Sequence, residues 1–302
     1  MNKKVVAQLG LFSNTIIWGG TFTIIKQALS GVSPMMFVSS RFLLAALILT
    51  PFCYSTLKSA SKINFKQASI LGFYLFIGFI TQTIGLQTTT PTKSAFITGT
   101  FIVFTPIFQT ILERRRPSMM SLFAILIATV GIVLLSSPAD SKLGVLSELK
   151  SSFSFGDFLT LICAVSYALY IVYLDMISDT INYKFLSYWQ ILVTAVLSML
   201  TIPLLHFTNI EFIKFTFDFK VIGAILYTAL FATVLTTTIQ TKFQKEVTPT
   251  QASLLFSMEP IFAAVFAYYV MNITVSPMGM VGCVLVFSAI IFSELFSKDK
   301  FK

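Results

Sequence analysis

A single carboxyl group interrupts an apolar stretch of the sequence. The stretch reads LLFSMEPIFAAVF over 254–266, and Glu259 is its only charged residue. Pro260 follows, and its ring excludes the helical hydrogen bond to the carbonyl group four residues back, so the oxygen of Phe256 is left free. A carboxyl group beside a free carbonyl oxygen can hold a substrate or exchange a proton. A structural role would instead bond it to a neighbouring helix or pair it with Arg41.

Arg41 is a second isolated charge, in the stretch SSRFLLAALILTPF. If Pro34 begins the helix that contains it, Arg41 lies roughly 10 Å along the helix axis. A cation at that depth in an apolar helix faces protein or water and usually has a partner. Arg41 therefore either contacts a substrate or stabilises the fold.

Polar and aromatic side chains recur at helical spacing in other apolar stretches. Threonines in such stretches often pack helices together by bonding a neighbouring backbone, so each has a structural interpretation beside a functional one. The aromatic faces of Trp18 and Tyr167 could stack on a ring or a cation. The candidates for the lining of a central binding site are Asn14, Trp18, Arg41, Gln82, Tyr167, Thr237, Gln240 and Glu259.

The composition indicates that membrane-spanning helices carry these residues. Of the 302 residues, 56% are hydrophobic and 11% are charged, and the mean hydropathy is +0.85. Soluble domains carry about 25% charged residues, so this chain has too few charges to cover a water-exposed surface. Since a membrane-spanning helix needs roughly 20 mainly apolar residues, we predict an all-α polytopic membrane protein. Its ten transmembrane helices are expected at about 7–27, 34–54, 68–88, 93–112, 119–136, 157–175, 185–205, 221–241, 250–270 and 277–295.

The distribution of lysine and arginine predicts the orientation. With ten spans both termini lie on one side, and that side receives most of the loop lysines and arginines, including the ERRRP stretch at 113–117. Because such loops stay in the cytoplasm, we expect cytoplasmic termini and a location in a bacterial inner membrane. The formal net charge of +9 then reflects an anionic membrane surface and not a nucleic-acid partner.

The sequence offers little for enzyme chemistry. Its one histidine and three scattered cysteines lack the spacing of a metal or redox site, and no nucleophile stands beside a base. It also has no GxxxxGK[ST] loop for ATP. We therefore predict a protein that is not an enzyme and that uses no metal or cofactor.

The chain divides into two similar halves. TPTKSAFITGTFIVFTPIF at 90–108 matches TPTQASLLFSMEPIF at 248–262, since each opens with Thr-Pro-Thr and continues to Pro-Ile-Phe. Each half would hold an odd number of spans, so the second copy lies upside down in the membrane, as is typical of alternating-access transporters. We expect a first five-helix repeat at 1–140, a periplasmic connector at 141–155 and a second five-helix repeat at 156–302.

Several longer motifs follow one another in a familiar order. They are WGGTFTIIKQAL in the first predicted span, SSRFLLAALILTPF in the second, SAFITGTFIVFTPIFQTILERRRPS in the fourth, FGDFLTLICAVSYALYIVY in the sixth and TQASLLFSMEPIFAAVFAYYV in the ninth. In them the chain resembles the EamA-type transporters of the drug/metabolite transporter superfamily. The resemblance implies ten helices in two inverted five-helix repeats and a cargo of small metabolites, often exported amino acids. Relatives often carry Glu-Pro at Glu259 and arginine at Arg41, but the Gly-Glu that many carry after the ninth span is replaced here by YYVMNITVSP.

The leading hypothesis is a secondary transporter that exports a small polar metabolite, an amino acid or a related compound, by alternating access. Its partners would be that small molecule, the lipid bilayer and, if Glu259 is the coupling group, protons; the oligomeric state stays open. One alternative is an uptake or exchange carrier for a nucleotide-like or sugar-linked metabolite, which would need several intramembrane cations where this chain has only Arg41. Another is a passive channel or a scaffold that transports nothing.

Reporter fusions test the predicted orientation. We expect reporters placed after Arg116, Lys245 and Lys302 to be active in the cytoplasm, and reporters within 140–152 to be active in the periplasm. The physical reason is the excess of lysine and arginine on one side. A cytoplasmic reporter within 140–152 would contradict the ten-span arrangement.

Overall fold

A computed structural model describes residues 3–135, 154–208 and 211–296, and these residues are almost entirely helical. Within them no strand forms, and the sole β-type pairing is one antiparallel bridge between Val32 and Phe215. The predicted all-α class is confirmed, and each predicted span overlaps a helix. The helices of the described ranges, labelled α1–α10, are Lys3–Ala28, Pro34–Ser59, Lys62–Gly85, Pro91–Glu113, Met119–Leu135, Phe155–Ser178, Tyr183–Phe207, Phe219–Glu246, Pro249–Met271 and Pro277–Phe296.

Most of these helices are suited to a membrane. Among the described residues eight helices are long and apolar enough to cross one, namely α2, α3, α4, α6, α7, α8, α9 and α10. Helix α5 is a shorter apolar helix of 17 residues, and α1 has 26 residues. The chain is therefore a multi-pass membrane protein, while the count of ten crossings stays a prediction. The predicted connector at 141–155 lies almost wholly outside the described residues.

The two Thr-Pro-Thr motifs begin α4 and α9 in the same way. Pro91 and Pro249 occupy the start of their helices, where a missing N–H group does no harm. The side chains of Thr90 and Thr248 each accept a hydrogen bond from the backbone N–H group three residues later, as capping residues do. The repeated motif thus has one structural role in both halves of the chain.

Helices α4 and α9 are both interrupted in the middle. The interruption in α4 falls at Thr100, and that in α9 falls just before Glu259. The two interruptions touch, because a Cβ atom added at Gly99 would lie 3.1 Å from Cγ of Pro260. The α-helical segments on either side are Pro91–Gly99 and Phe101–Phe108 in α4, and Pro249–Phe256 and Glu259–Met271 in α9.

Small residues bring α1 close to the second segment of α9. A Cβ atom added at Gly19 would lie 2.8 Å from the backbone nitrogen of Ala263, so only a glycine allows this approach. Such close backbone contacts are typical of helix packing in membranes. They fix the neighbouring side chain of Trp18 beside the interruption in α9.

One end of the bundle, the end predicted to be periplasmic, is held by a network of polar contacts. The Lys26 ammonium group donates to the carbonyl oxygen of Thr89 at 2.9 Å, and the hydroxyl of Thr89 donates to Asp157 at 2.7 Å. Asp157 also pairs with Lys93 at 2.7 Å. These contacts tie the ends of α1, α3, α4 and α6 together.

The segment between α7 and α8 packs over the turn between α1 and α2. The N–H group of Ser33 donates to the carbonyl oxygen of Lys214 at 2.9 Å. The Glu211 carboxylate accepts the N–H group of Met35 at 3.0 Å, at the start of α2. Burial raises the pKa of Glu211, and the bond from Met35 opposes that rise. The segment therefore closes the same end of the bundle.

Candidate functional site

A partly open cavity lies at the centre of the bundle. Its polar and charged lining consists of Thr21, Arg41, Gln82, Thr237, Gln240 and Glu259, and its aromatic and apolar lining consists of Trp18, Leu75, Phe79, Phe101, Tyr167, Tyr170, Ile171, Ala232 and Phe256.

All the side chains predicted to line a binding site border this cavity except Asn14. The Asn14 side chain is buried, and its Nδ2 donates to the carbonyl oxygen of Thr236 at 2.9 Å. Asn14 therefore joins α1 to α8 instead of facing the cavity. The physical reason is this hydrogen bond, which holds the Asn14 amide against the α8 backbone.

Arg41 is 2% exposed and is bound to α8. Its Nε donates to Oγ1 of Thr233 at 2.7 Å, and its Nη2 donates to the carbonyl oxygen of Ala232 at 2.8 Å. Both acceptors lie in a π-helical turn, Leu230–Leu235. The guanidinium carbon also lies 4.5 Å from the centre of the Phe79 ring. The remaining terminal nitrogen, Nη1, stays available to a ligand.

Glu259 is the first residue of the second segment of α9 and is 8% exposed. Among the described residues its carboxyl group has no hydrogen-bond or ion-pair partner. The ion pair with Arg41 that the sequence left open is therefore not formed, although both charges line the same cavity. Its place at a helix N-terminus favours a negative charge there, because the helix dipole is positive at that end.

Tyr167 lines the same cavity as the two charged groups. Its ring packs directly on Gly78 of α3, where there is no room for a Cβ atom, and lies edge-on to Phe79 at 5.7 Å between ring centres. Helix α3 therefore fixes the orientation of this aromatic wall.

The neutral polar groups of the lining mostly have partners of their own. Trp18 donates through Nε1 to Oγ1 of Thr236 at 3.1 Å. Gln82 donates to Oγ1 of Thr98 at 3.1 Å, and Gln240 donates to Oε1 of Gln244 at 2.8 Å. These bonds hold the amides in place.

Sequence reasoning missed the apolar part of the lining. Leu75, Phe79, Phe101 and Phe256 have the same residue types and spacing as the buried core around them, so no local signal separated them. Across the described part of the chain, no group of three His, Cys, Asp or Glu side chains could hold a metal ion. The lining of the cavity is mostly aromatic and apolar, and it contains one cation and one carboxyl group.

Comparisons with known proteins give a consistent result. The model of the EamA-like transporter family matches residues 6–137 and 154–295. The chain is similar to an uncharacterized transporter of Archaeoglobus fulgidus, with 32% identity over 293 residues that cover 97% of this chain and 87% of that protein. A S-adenosylmethionine/S-adenosylhomocysteine transporter of Chlamydia muridarum is 33% identical over 113 residues, which cover 35% of this chain and 34% of that protein. A crystal structure with 14% identity has the same fold, with a TM-score of 0.75 and 98% coverage of both chains.

Substitution of Arg41 by lysine should lower the stability of the protein. A lysine keeps the charge but cannot reproduce the planar pair of donors that holds the π-helical turn of α8. We expect a lower melting temperature in detergent, equivalent to about 1.5–3 kcal/mol, the usual contribution of a hydrogen bond to a charged group. The control is Arg115→Lys, because Arg115 is exposed at the end of α4. Equal melting temperatures for the two variants would contradict this role of Arg41.

Proposed function

This chain belongs to the EamA-like transporter family, and we propose that it is a secondary transporter which exports a small zwitterionic metabolite of the amino-acid class by alternating access. The observation that carries the proposal is the presence of two opposite charges, Arg41 and Glu259, in one cavity without an ion pair between them.

A zwitterion fits this arrangement of charge. Its carboxylate would bind the free terminal nitrogen of Arg41, and its ammonium group would bind the carboxylate of Glu259. Each protein charge is costly to bury without a partner. A zwitterion supplies a partner to both charges at once, so its binding removes both costs. A ligand with one charge would leave the other protein group without a partner.

The lining and one relative support an amino-acid derivative with a sizeable side chain. Trp18, Phe79 and Phe256 surround the charged groups with aromatic surface, which stacks favourably on rings and cations. The relative from Chlamydia muridarum is named for S-adenosylmethionine and S-adenosylhomocysteine. Both of those compounds contain an α-amino-acid zwitterion attached to a larger body.

Two inverted repeats would provide the alternating access. The separate family matches at 6–137 and 154–295 and the paired interruptions in α4 and α9 support a duplicated unit. Broken helices at the interface of inverted repeats commonly form the substrate site of secondary transporters. In this proposal, rocking of the repeats exposes the cavity first to the cytoplasm and then to the periplasm of a bacterial inner membrane.

Glu259 would couple transport to protons. A carboxylate that binds the substrate ammonium group cannot at the same time hold a proton, so the two cations compete for one site. A proton that enters when the substrate leaves would neutralise the group while the empty carrier returns. The N-terminal position of Glu259 in its helix segment supports the charged form when substrate is bound.

The charge of the cavity disfavours one alternative function, and an experiment separates the other two. A nucleotide-like or sugar-linked phosphate compound would need several cations, and Arg41 is the one cation in the lining. A passive channel would conduct without exchanging one molecule for another, and a scaffold would move nothing. Counterflow of a labelled compound separates these cases, because only a carrier exchanges external label for internal unlabelled compound.

Counterflow in proteoliposomes tests the proposal, with labelled neutral amino acids as probes. We expect saturable exchange by the wild type that weakens as the pH is lowered, because a protonated Glu259 cannot bind an ammonium group. Glu259→Gln should keep the fold and reduce exchange at least tenfold, and the remaining exchange should not depend on pH.

The matched control is Glu294→Gln, because Glu294 is a surface carboxylate paired with Lys4. This variant should exchange like the wild type at every pH. A Glu259→Gln protein with normal exchange and the wild-type pH profile would make Glu259 structural. Absence of exchange in the wild type for the whole set of amino acids would contradict the proposed substrate class.

A further inference from the structure

The hydroxyl of Tyr170 is a polar group at the cavity without a hydrogen-bond partner among the described residues. The Tyr170 side chain is 3% exposed and lines the cavity, and its hydroxyl has no hydrogen-bond partner in the described residues. A buried hydroxyl without a partner costs free energy, and native structures contain few such groups. By contrast, the cavity amides of Gln82 and Gln240 each donate to a neighbouring side chain.

A buried amide without a hydrogen-bond partner lies close to this hydroxyl. The Gln190 side chain on α7 is 0% exposed, and neither its nitrogen nor its oxygen is bonded within the described ranges. The amide is close enough to the Tyr170 hydroxyl to interact with it, but the pair does not meet the distance and angle of a formed hydrogen bond. Two neighbouring polar groups with unused donors and acceptors are therefore buried together, and one of them, Tyr170, belongs to a residue that lines the cavity.

The backbone around Gln190 holds it in this position. The hydroxyl of Thr194 donates to the carbonyl oxygen of Gln190 at 2.8 Å and approaches that of Gly72 at 3.1 Å. A Cβ atom added at Gly72 would lie 2.9 Å from the Gln190 carbonyl oxygen, so α3 and α7 are in close contact here. The backbone position of Gln190 is therefore well defined, and its amide has no partner within the described ranges.

We propose that Tyr170 and Gln190 form a neutral subsite of the cavity that selects substrates carrying a carboxamide or a similar group which both donates and accepts hydrogen bonds. Tyr170 contacts that group, and Gln190 is a positioning residue that orients the Tyr170 hydroxyl. The inference rests on the proposed function, because Arg41 and Glu259 hold the charged end of the same substrate. A hydroxyl with an amide behind it can serve as donor or acceptor, which matches a carboxamide better than a purely apolar side chain.

The sharpest test compares two amino acids of similar size. L-glutamine ends in a carboxamide, and L-methionine is nearly isosteric but has no such group. In wild-type proteoliposomes we expect counterflow to prefer glutamine by roughly tenfold in KM, as for one good hydrogen bond that the analogue cannot make. Tyr170→Phe and Gln190→Met should both raise the KM for glutamine until the preference is lost, with kcat and the methionine KM little changed.

A matched control and a stability measurement separate recognition from structure. Tyr188→Phe removes a hydroxyl that does not line the cavity and that accepts a bond from Thr50, so it should keep the glutamine preference. Without substrate, Gln190→Met should melt at or above the wild-type temperature, because it removes a buried amide that has no partner.

Each outcome of these measurements either supports or overturns the proposed subsite. Loss of the preference in both variants, with unchanged melting, supports the subsite. Exchange by the wild type without a preference for glutamine, or a preference that survives in Tyr170→Phe, overturns it and leaves the proposed function intact. A lower melting temperature for Gln190→Met with an unchanged preference would mean that the pair holds only structural water. Exchange of neither amino acid by the wild type would contradict the proposed function, and the subsite with it.

Discussion

A charged carboxyl group at the depth of Glu259 costs at least about 2.5 kcal/mol to place in a bilayer, and much of the bundle is arranged around that cost. Glu259 lies roughly 15 Å along α9 from Pro249, so lipid cannot be its neighbour. The interruption in α9 places it at the start of a helix segment, and α4 is interrupted at the point of contact. The cavity is the volume that this arrangement leaves between the helices.

Arg41, the second charge, has hydrogen-bond partners within the protein, whereas Glu259 has none among the described residues. Arg41 is fixed by two hydrogen bonds to a π-helical turn of α8, which satisfies part of its guanidinium group without neutralising it. A direct ion pair with Glu259 would have solved both burial problems inside the protein. In the proposed function, a zwitterionic substrate would pair with both charges, which form no ion pair with each other in the described structure.

The sequence was sufficient for the helices and for most of the charged and polar lining, because long apolar runs and isolated polar residues are strong signals in a membrane. It failed where the partner of a side chain decides its role. Asn14 has helical spacing with Trp18, yet the α8 backbone binds it. The interruption of α4 at Thr100 has no proline beside it, and helix geometry continues through Pro106. Gln190 has the residue type and position of an ordinary polar residue in a span, and no sequence signal indicates that its amide lacks a partner within the described ranges.

The most direct test of the central claim is to observe the cavity while the substrate binds. The chain has two tryptophans: Trp18 lines the cavity, and Trp189 is bonded to Ser69 outside it. Trp189→Phe leaves Trp18 as the sole tryptophan, and Trp18→Phe leaves Trp189, so excitation at the red edge of tryptophan absorption reports on one site at a time. With an amino acid that the carrier exchanges, we predict a saturable fluorescence change from Trp18 alone, at concentrations that match the KM for exchange. An equal change from Trp189, or none from Trp18 in a protein that still exchanges, would contradict the assignment of this cavity as the substrate site.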